Sequence, residues 1–247
     1  MTSTADSRTT TVPAPRTHDE RVRTARITGL WYLGLGVTGM VGFLLIRAQL
    51  FVPADPAATL ANLGEQASLA RLGVALEMGV VVTQTLTALW FYRLFRRVDS
   101  FAAGALATFG LLNAVAIMGS AALLATAAEV AADPAGSIAT DTGAAAGVVQ
   151  LSYTIADHFW GAGTAFFGLW LIPMGRLILR SGWLPAPLGW TLLAGGVGYL
   201  VSAFIGYLFP GADTLTTILT VPATVGELWT LSYLIVVGVR RTETPAP

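Results

Sequence analysis

The stretch that decides the fold is FAAGALATFGLLNAVAIMGSAALLAT, residues 101–126, which contains no charged side chain. An α-helix rises about 1.5 Å per residue, so roughly 20 apolar residues cross the hydrocarbon core of a bilayer. A strand of a membrane β-barrel would instead alternate apolar and polar residues over about ten positions. Residues 101–126 therefore predict a transmembrane helix.

Five other stretches repeat this pattern, and the composition agrees with a membrane protein. Mean hydropathy is +0.67 and only 11% of the residues are charged, against about 25% in soluble domains. We predict an all-α polytopic membrane protein, a bundle of six transmembrane helices over residues 27–239. A disordered cytoplasmic tail is predicted over 1–26 and a second cytoplasmic tail over 240–247. The predicted spans are 27–46, 72–92, 101–126, 147–174, 188–209 and 215–239.

The arginines predict how the bundle is oriented. All 14 cationic residues are Arg, and only Arg47 and Arg71 fall on one predicted side of the membrane. Cytoplasmic loops carry the excess of basic residues, so both termini are predicted to be cytoplasmic and Arg47 and Arg71 to lie outside. The arginines assigned to the cytoplasmic side are Arg8, Arg16, Arg21, Arg23, Arg26, Arg93, Arg96, Arg97, Arg176, Arg180, Arg240 and Arg241.

Four ionisable residues lie within the predicted spans, where each is costly unless paired or neutralised. Counted from the outer end of each span at about 1.5 Å per residue, they lie about 8 to 18 Å deep, in the outer half of the bundle. We predict a ligand-binding polar pocket there, with Glu77 and Glu227 as its central acids. Asp157 and His158 point about 100° apart on their helix, so one of them should face the bundle centre. The predicted pocket residues are Glu77, Gln84, Asn113, Asp157, His158, Tyr199 and Glu227.

Three interpretations of these residues remain open. The carboxyls could be protonated and hydrogen-bonded in a structural scaffold that has no site. They could bind or pass a proton or a small polar solute, since intramembrane acids and His form proton relays. They could also serve a metal-dependent, hydrolase-like membrane enzyme. The sequence contains no His-Glu-x-x-His, no Gly-x-Ser-x-Gly and no Cys, so we expect neither a metal nor another cofactor, and an enzyme is the less favoured reading.

The sequence also predicts the partners and the location. The partners are the lipid bilayer and an unidentified small solute or proton. Nucleic acid is not expected, because the arginines of the tail set the topology. Small residues recur at helix-packing spacing and favour packing within one chain, although a homo-oligomer stays open. Arginine-only, Ala- and Gly-rich usage indicates a bacterial protein, hence a multi-pass protein of the cytoplasmic membrane.

Short segments along the chain resemble bacterial integral membrane proteins grouped as domain of unknown function 4386. The resemblance covers about residues 26–240, and His158 fits loosely a His-containing stretch of that family. It implies a six-helix membrane protein and no particular activity. The matching segments are RITGLWYL (26–33), RLG (71–73) leading to Glu77, FFGL (166–169), SGWLP (181–185), LG (188–189), GYL (198–200) and PATVGE (222–227).

Overall fold

A computed structural model describes residues 17–134, 136 and 141–241. These residues form seven α-helices and no β-strand, and all the helices except α2 are long and apolar enough to cross a membrane. The prediction of an all-α protein with six spans is therefore confirmed. The tail residues 1–16 and 242–247 lie outside the described residues. The helices are α1 His18–Leu50, α2 Pro56–Glu65, α3 Ala67–Phe95, α4 Ser100–Ala132, α5 Thr142–Ser181, α6 Ala186–Leu208 and α7 Asp213–Val236.

Four of the helices, α1, α3, α4 and α5, extend several residues beyond their predicted spans. Helix α1 begins at His18, inside the predicted tail, because Thr17 and Glu20 cap it. The Thr17 hydroxyl accepts from the Glu20 N–H at 3.3 Å, and the Glu20 carboxylate accepts from the Thr17 N–H at 3.1 Å. Helices α4 and α5 also run past the apolar cores at 101–126 and 147–174. The added residues 127–132 of α4 and 142–146 of α5 are rich in Ala, which has the highest helix propensity.

The six spanning helices form a closed ring in which each packs against its neighbours in sequence and α1 packs against α7. Both described ends of the chain lie at one face of this ring, which we call the terminal face. There the Arg240 N–H donates to the Trp183 carbonyl at 2.9 Å, and the Arg21 guanidinium lies 5.5 Å from the Trp183 ring. Helix α2 packs against α4 and α5 at the opposite face, which we call the α2 face.

Asp99 ties α4 to α5 at the terminal face. Its Oδ1 accepts from the Ala102 N–H at 3.0 Å, and its Oδ2 pairs with Arg180 and, at 3.6 Å, with Arg176. The hydrogen bond from Ala102 and the two guanidinium groups hold the pKa of Asp99 below its usual value. Asp99 therefore stays ionised at neutral pH and neutralises part of the positive charge of this face.

Helix α6 lies very close to both of its neighbours because glycines face them. A Cβ at Gly198 would lie 2.0 Å from the Leu219 carbonyl oxygen of α7, and a Cβ at Gly168 of α5 would lie 2.6 Å from the Gly196 oxygen. Small residues are the usual means of close helix approach in lipid, where there is no hydrophobic force between helices. The α5–α6–α7 side of the ring is therefore tightly packed.

We expect Gly198→Ala to destabilise the protein by about 1–3 kcal/mol, because the new methyl group must push α7 away from α6. The free energy of unfolding in mixed micelles measures this effect. Gly206→Ala, on the same helix, is the matched control, since a Cβ there meets no atom within 4 Å. Equal stability of the two variants would contradict the close approach of α6 and α7.

Candidate functional site

A buried arginine holds two carboxyl groups together inside the ring. Arg47 is 7% exposed and ends a π-helical segment of α1, Met40–Arg47. Its Nη2 lies 2.7 Å from Asp157 Oδ1 and donates to the Tyr153 carbonyl at 2.8 Å. Its Nη1 lies 3.9 Å from Glu77 Oε1. We call Arg47, Glu77 and Asp157 the Arg47 cluster; it links α1, α3 and α5.

Arg47 was assigned to the outer side only as a charge that flanks a span; its burial inside the ring was not predicted. The guanidinium carbon lies 5.5 Å from the centre of the Phe43 ring, 5.9 Å from Phe51 and 5.3 Å from Tyr153. Aromatic faces attract a guanidinium, and a buried charge persists when it is paired and hydrogen-bonded. The signal that could have identified Arg47 was its position at the same end of the spans as Glu77 and Asp157.

Glu77 extends the cluster to α4 and deeper into α5. Its Oε1 accepts hydrogen bonds from Ser120 Oγ and from Trp160 Nε1, both at 3.1 Å. Its Oε2 is buried and has no hydrogen-bond partner among the described residues. Buried polar atoms are normally hydrogen-bonded, so this oxygen is available to a proton or to a bound group.

Gln84 and Asn113 lie about two helical turns from Glu77, on α3 and α4. Glu77 accepts a hydrogen bond from Ser120 across these antiparallel helices. Gln84 is seven residues after Glu77 and Asn113 is seven residues before Ser120, so the two lie at about the same level of the bundle. Both side chains are buried. Within the described part of the chain, Gln84 Oε1 and both side-chain amide atoms of Asn113 have no hydrogen-bond partner. Buried polar atoms without hydrogen-bond partners therefore lie about two helical turns from Glu77.

Asp157 also lines a second feature, an open groove of about 420 Å³ between α5, α6 and α7. The Asp157 side chain is 42% exposed, so it contacts both Arg47 and the groove. His158 lies in the groove with its ring 6.1 Å from that of Tyr207. Asp157 is therefore the member of the pair that faces the bundle interior, while His158 faces α6. Hydroxyl groups supply most of the remaining polarity, from Thr164, Tyr199, Ser202, Tyr207, Thr216, Thr217 and Thr220. We call this the polar groove.

Glu227, which the sequence predicts to share a pocket with Glu77, lies in a different place. Its Oε1 accepts a hydrogen bond from the Tyr32 hydroxyl at 2.6 Å. The two residues line a separate, mainly apolar cavity of about 210 Å³ between α1 and α7, which we call the α1–α7 cavity. Trp160 also lines this cavity, and its indole N–H donates to Glu77. One side chain therefore contacts Glu77 and lines the cavity that contains Glu227.

The seven predicted pocket residues therefore fall into four neighbouring places. Glu77 belongs to the Arg47 cluster. Asp157 belongs to the cluster and to the groove, which His158 and Tyr199 also line. Gln84 and Asn113 lie on α3 and α4, about two turns from Glu77, and Glu227 lies in the α1–α7 cavity.

The polar groove and the α1–α7 cavity share a wall. The ring of Tyr199, which lines the groove, lies 5.9 Å from the ring of Phe167, which lines the cavity.

Comparison with known proteins shows the family of the chain. A family model described as "Domain of unknown function (DUF4386)" matches residues 27–238. The chain belongs to this family. The match confirms the resemblance noted in the sequence, and it runs from α1 to just beyond α7. The Arg47 cluster, the polar groove and the α1–α7 cavity therefore all lie within the DUF4386 region.

The remaining comparisons are negative. No curated protein and no solved structure matches the chain. Over residues 17–134, 136 and 141–241, no group of three or more His, Cys, Asp or Glu side chains is placed to hold a metal ion.

Proposed function

We propose that this DUF4386 protein binds a small polar solute in the polar groove, and that this binding is linked to a proton on the carboxyls of the Arg47 cluster. The observation that carries the proposal is the position of Asp157. One side chain contacts both the buried guanidinium and the open groove. A solute bound in the groove therefore acts directly on the charge balance of the interior.

The charges of the Arg47 cluster support the link to a proton. One guanidinium faces two carboxyls, so the cluster carries one negative charge when both acids are ionised. The groups packed around it, Tyr153, Ser120 and Trp160, do not compensate this charge. A net charge at membrane depth costs several kcal/mol. One proton, or one cationic group beside Asp157, makes the cluster neutral.

The walls of the polar groove support a hydrogen-bonding solute. Hydroxyl groups donate and accept, and they line three helices of the groove around one carboxylate. Such a lining suits an amino alcohol better than an apolar molecule. We therefore take ethanolamine as the probe and ethylene glycol as its matched neutral analogue, in which a hydroxyl replaces the ammonium group.

We also propose that the protein lies in a bacterial cytoplasmic membrane with its terminal face in the cytoplasm. The terminal face carries Arg21, Arg176, Arg180 and Arg240, of which Arg176 and Arg180 share one carboxylate, whereas the guanidinium of Arg47 at the other end pairs with two carboxylates. This asymmetry is the one that orients membrane proteins. The polar groove, which lies toward the α2 face, would then open to the outside.

The test of the groove is Asp157→Asn in purified protein. We expect the unmodified protein to prefer ethanolamine over ethylene glycol by about tenfold, the value of one modest charge interaction, and Asp157→Asn to remove this preference. Calorimetry in micelles measures both affinities, and a buffer series with different ionisation enthalpies measures the accompanying proton. Asp213→Asn removes a carboxylate near the same end outside the groove lining and should change neither. Unchanged selectivity in Asp157→Asn, or no binding of either probe, would contradict the proposal.

A further inference from the structure

The α1–α7 cavity is placed to receive a molecule from the bilayer. It lies at the middle of both helices, between Leu35–Gly39 of α1 and Thr224–Leu231 of α7. A Cβ at Gly36 would meet no atom within 4 Å, and one at Gly39 would meet only Val80, at 3.9 Å. Leu228 on the rim is 55% exposed. The seam between the first and the last helix is therefore loosely packed beside Gly36 and Gly39, at mid-length of both helices and away from either water-facing end.

The chemistry of the cavity is that of a site for an organic cation. Glu227 supplies one carboxyl, held in place by the Tyr32 hydroxyl at 2.6 Å. The rings of Tyr32, Trp160 and Phe167 form aromatic walls around it, and the remaining lining is mainly aliphatic. Aromatic faces and a carboxylate together attract an ammonium group, most strongly where water is excluded. An inorganic cation would need a shell of oxygen ligands, which these walls do not provide.

We propose that the α1–α7 cavity binds a lipophilic organic cation that enters from the bilayer, with its ammonium group beside Glu227 and its apolar part against the seam. The cation neutralises an acid that would otherwise be an isolated charge at membrane depth. A fatty acid is disfavoured, because its carboxylate would face that of Glu227. This site is distinct from the polar groove and takes a ligand of different solubility, so it does not depend on the function proposed above.

The test uses benzyltrimethylammonium and its neutral carbon analogue neopentylbenzene, which has the same shape. Saturation-transfer NMR on the full chain in micelles measures the binding of each. We expect Glu227→Gln to weaken binding of the cation by about tenfold or more and to leave neopentylbenzene unchanged, because Gln keeps the acceptor for Tyr32. Gly36→Leu should weaken both probes, because the new side chain fills the cavity from a position with open space.

Controls separate this site from the rest of the molecule. Glu129→Gln removes an exposed carboxyl of α4 and should leave binding of both probes unchanged. Excess ethanolamine should not displace benzyltrimethylammonium, so failure of the groove and failure of the cavity give different results. Unchanged cation binding in Glu227→Gln, unchanged binding in Gly36→Leu, or displacement by ethanolamine would each overturn the proposal.

Discussion

Replacing Arg47 with Met is expected to destabilise the protein by about 3–5 kcal/mol, the cost of breaking a buried ion pair by removing one partner. Met retains roughly the aliphatic part of the side chain but leaves Glu77 and Asp157 without their shared cation. It also leaves the Tyr153 carbonyl without the donor at 2.8 Å. Equilibrium unfolding in mixed micelles, followed by tryptophan fluorescence, measures the loss.

Two further variants test the cause of this loss. Adding Glu77→Gln and Asp157→Asn to Arg47→Met removes the uncompensated charges, so stability should recover in part. Arg71→Met, at an exposed position of α3 near the same end, should change the free energy of unfolding by less than about 0.5 kcal/mol. If Arg47→Met and Arg71→Met were equally mild, Arg47 would not be buried in ion pairs.

The second large effect is expected at Trp170, which is 2% exposed in the core between the helices of the terminal half. Its ring meets Phe91 edge to face at 5.6 Å and Tyr32 at 6.2 Å. Trp170→Ala should therefore cost about 3–5 kcal/mol, as buried aromatic truncations do. Thermal unfolding followed by near-UV circular dichroism measures the change.

The matched control for Trp170 is Trp190→Ala, at a position 64% exposed, which removes the same side chain at little cost in packing. Gly110 gives an independent check, because a Cβ there would lie 2.4 Å from the Trp170 ring. Gly110→Ala should therefore destabilise the protein, and do so less in the Trp170→Ala background, where the ring is absent. Additive effects of the two changes would show that the two residues do not touch.

The six spans could be predicted from the sequence because lipid imposes a simple requirement. A helix that crosses the bilayer needs a long run of uncharged, mainly apolar residues, and residues 101–126 form such a run. The helix ends could be predicted less accurately. Hydropathy indicates where the bilayer begins, whereas capping residues and packing decide where a helix begins and ends. Thr17 and Asp141, which cap the first turns of α1 and α5, lie outside the apolar runs. That is why α1, α3, α4 and α5 extend beyond the apolar runs.

The site was predictable in its members more than in its arrangement. Counting residues along a span gives the depth of Glu77, Asp157 and Glu227, but it does not give the direction in which each side chain points around the ring. Glu77 and Glu227 differ in this direction: Trp160 donates to Glu77 and lines the separate cavity that contains Glu227. The burial of Arg47 was not predicted for a related reason. The charge rule counts arginines by side, and it carries no information about which of them turns inward to meet an acid.

The closed ring has a consequence for how the protein is made. Helices enter the membrane in the order of synthesis, N-terminal first, and the Arg47 cluster needs only α1, α3 and α5. The interior ion pairs can therefore form while α6 and α7 are still on the ribosome. The α1–α7 seam closes only when the last helix is inserted. Until then the unfinished ring of helices is open to lipid on the side where α7 later places Glu227.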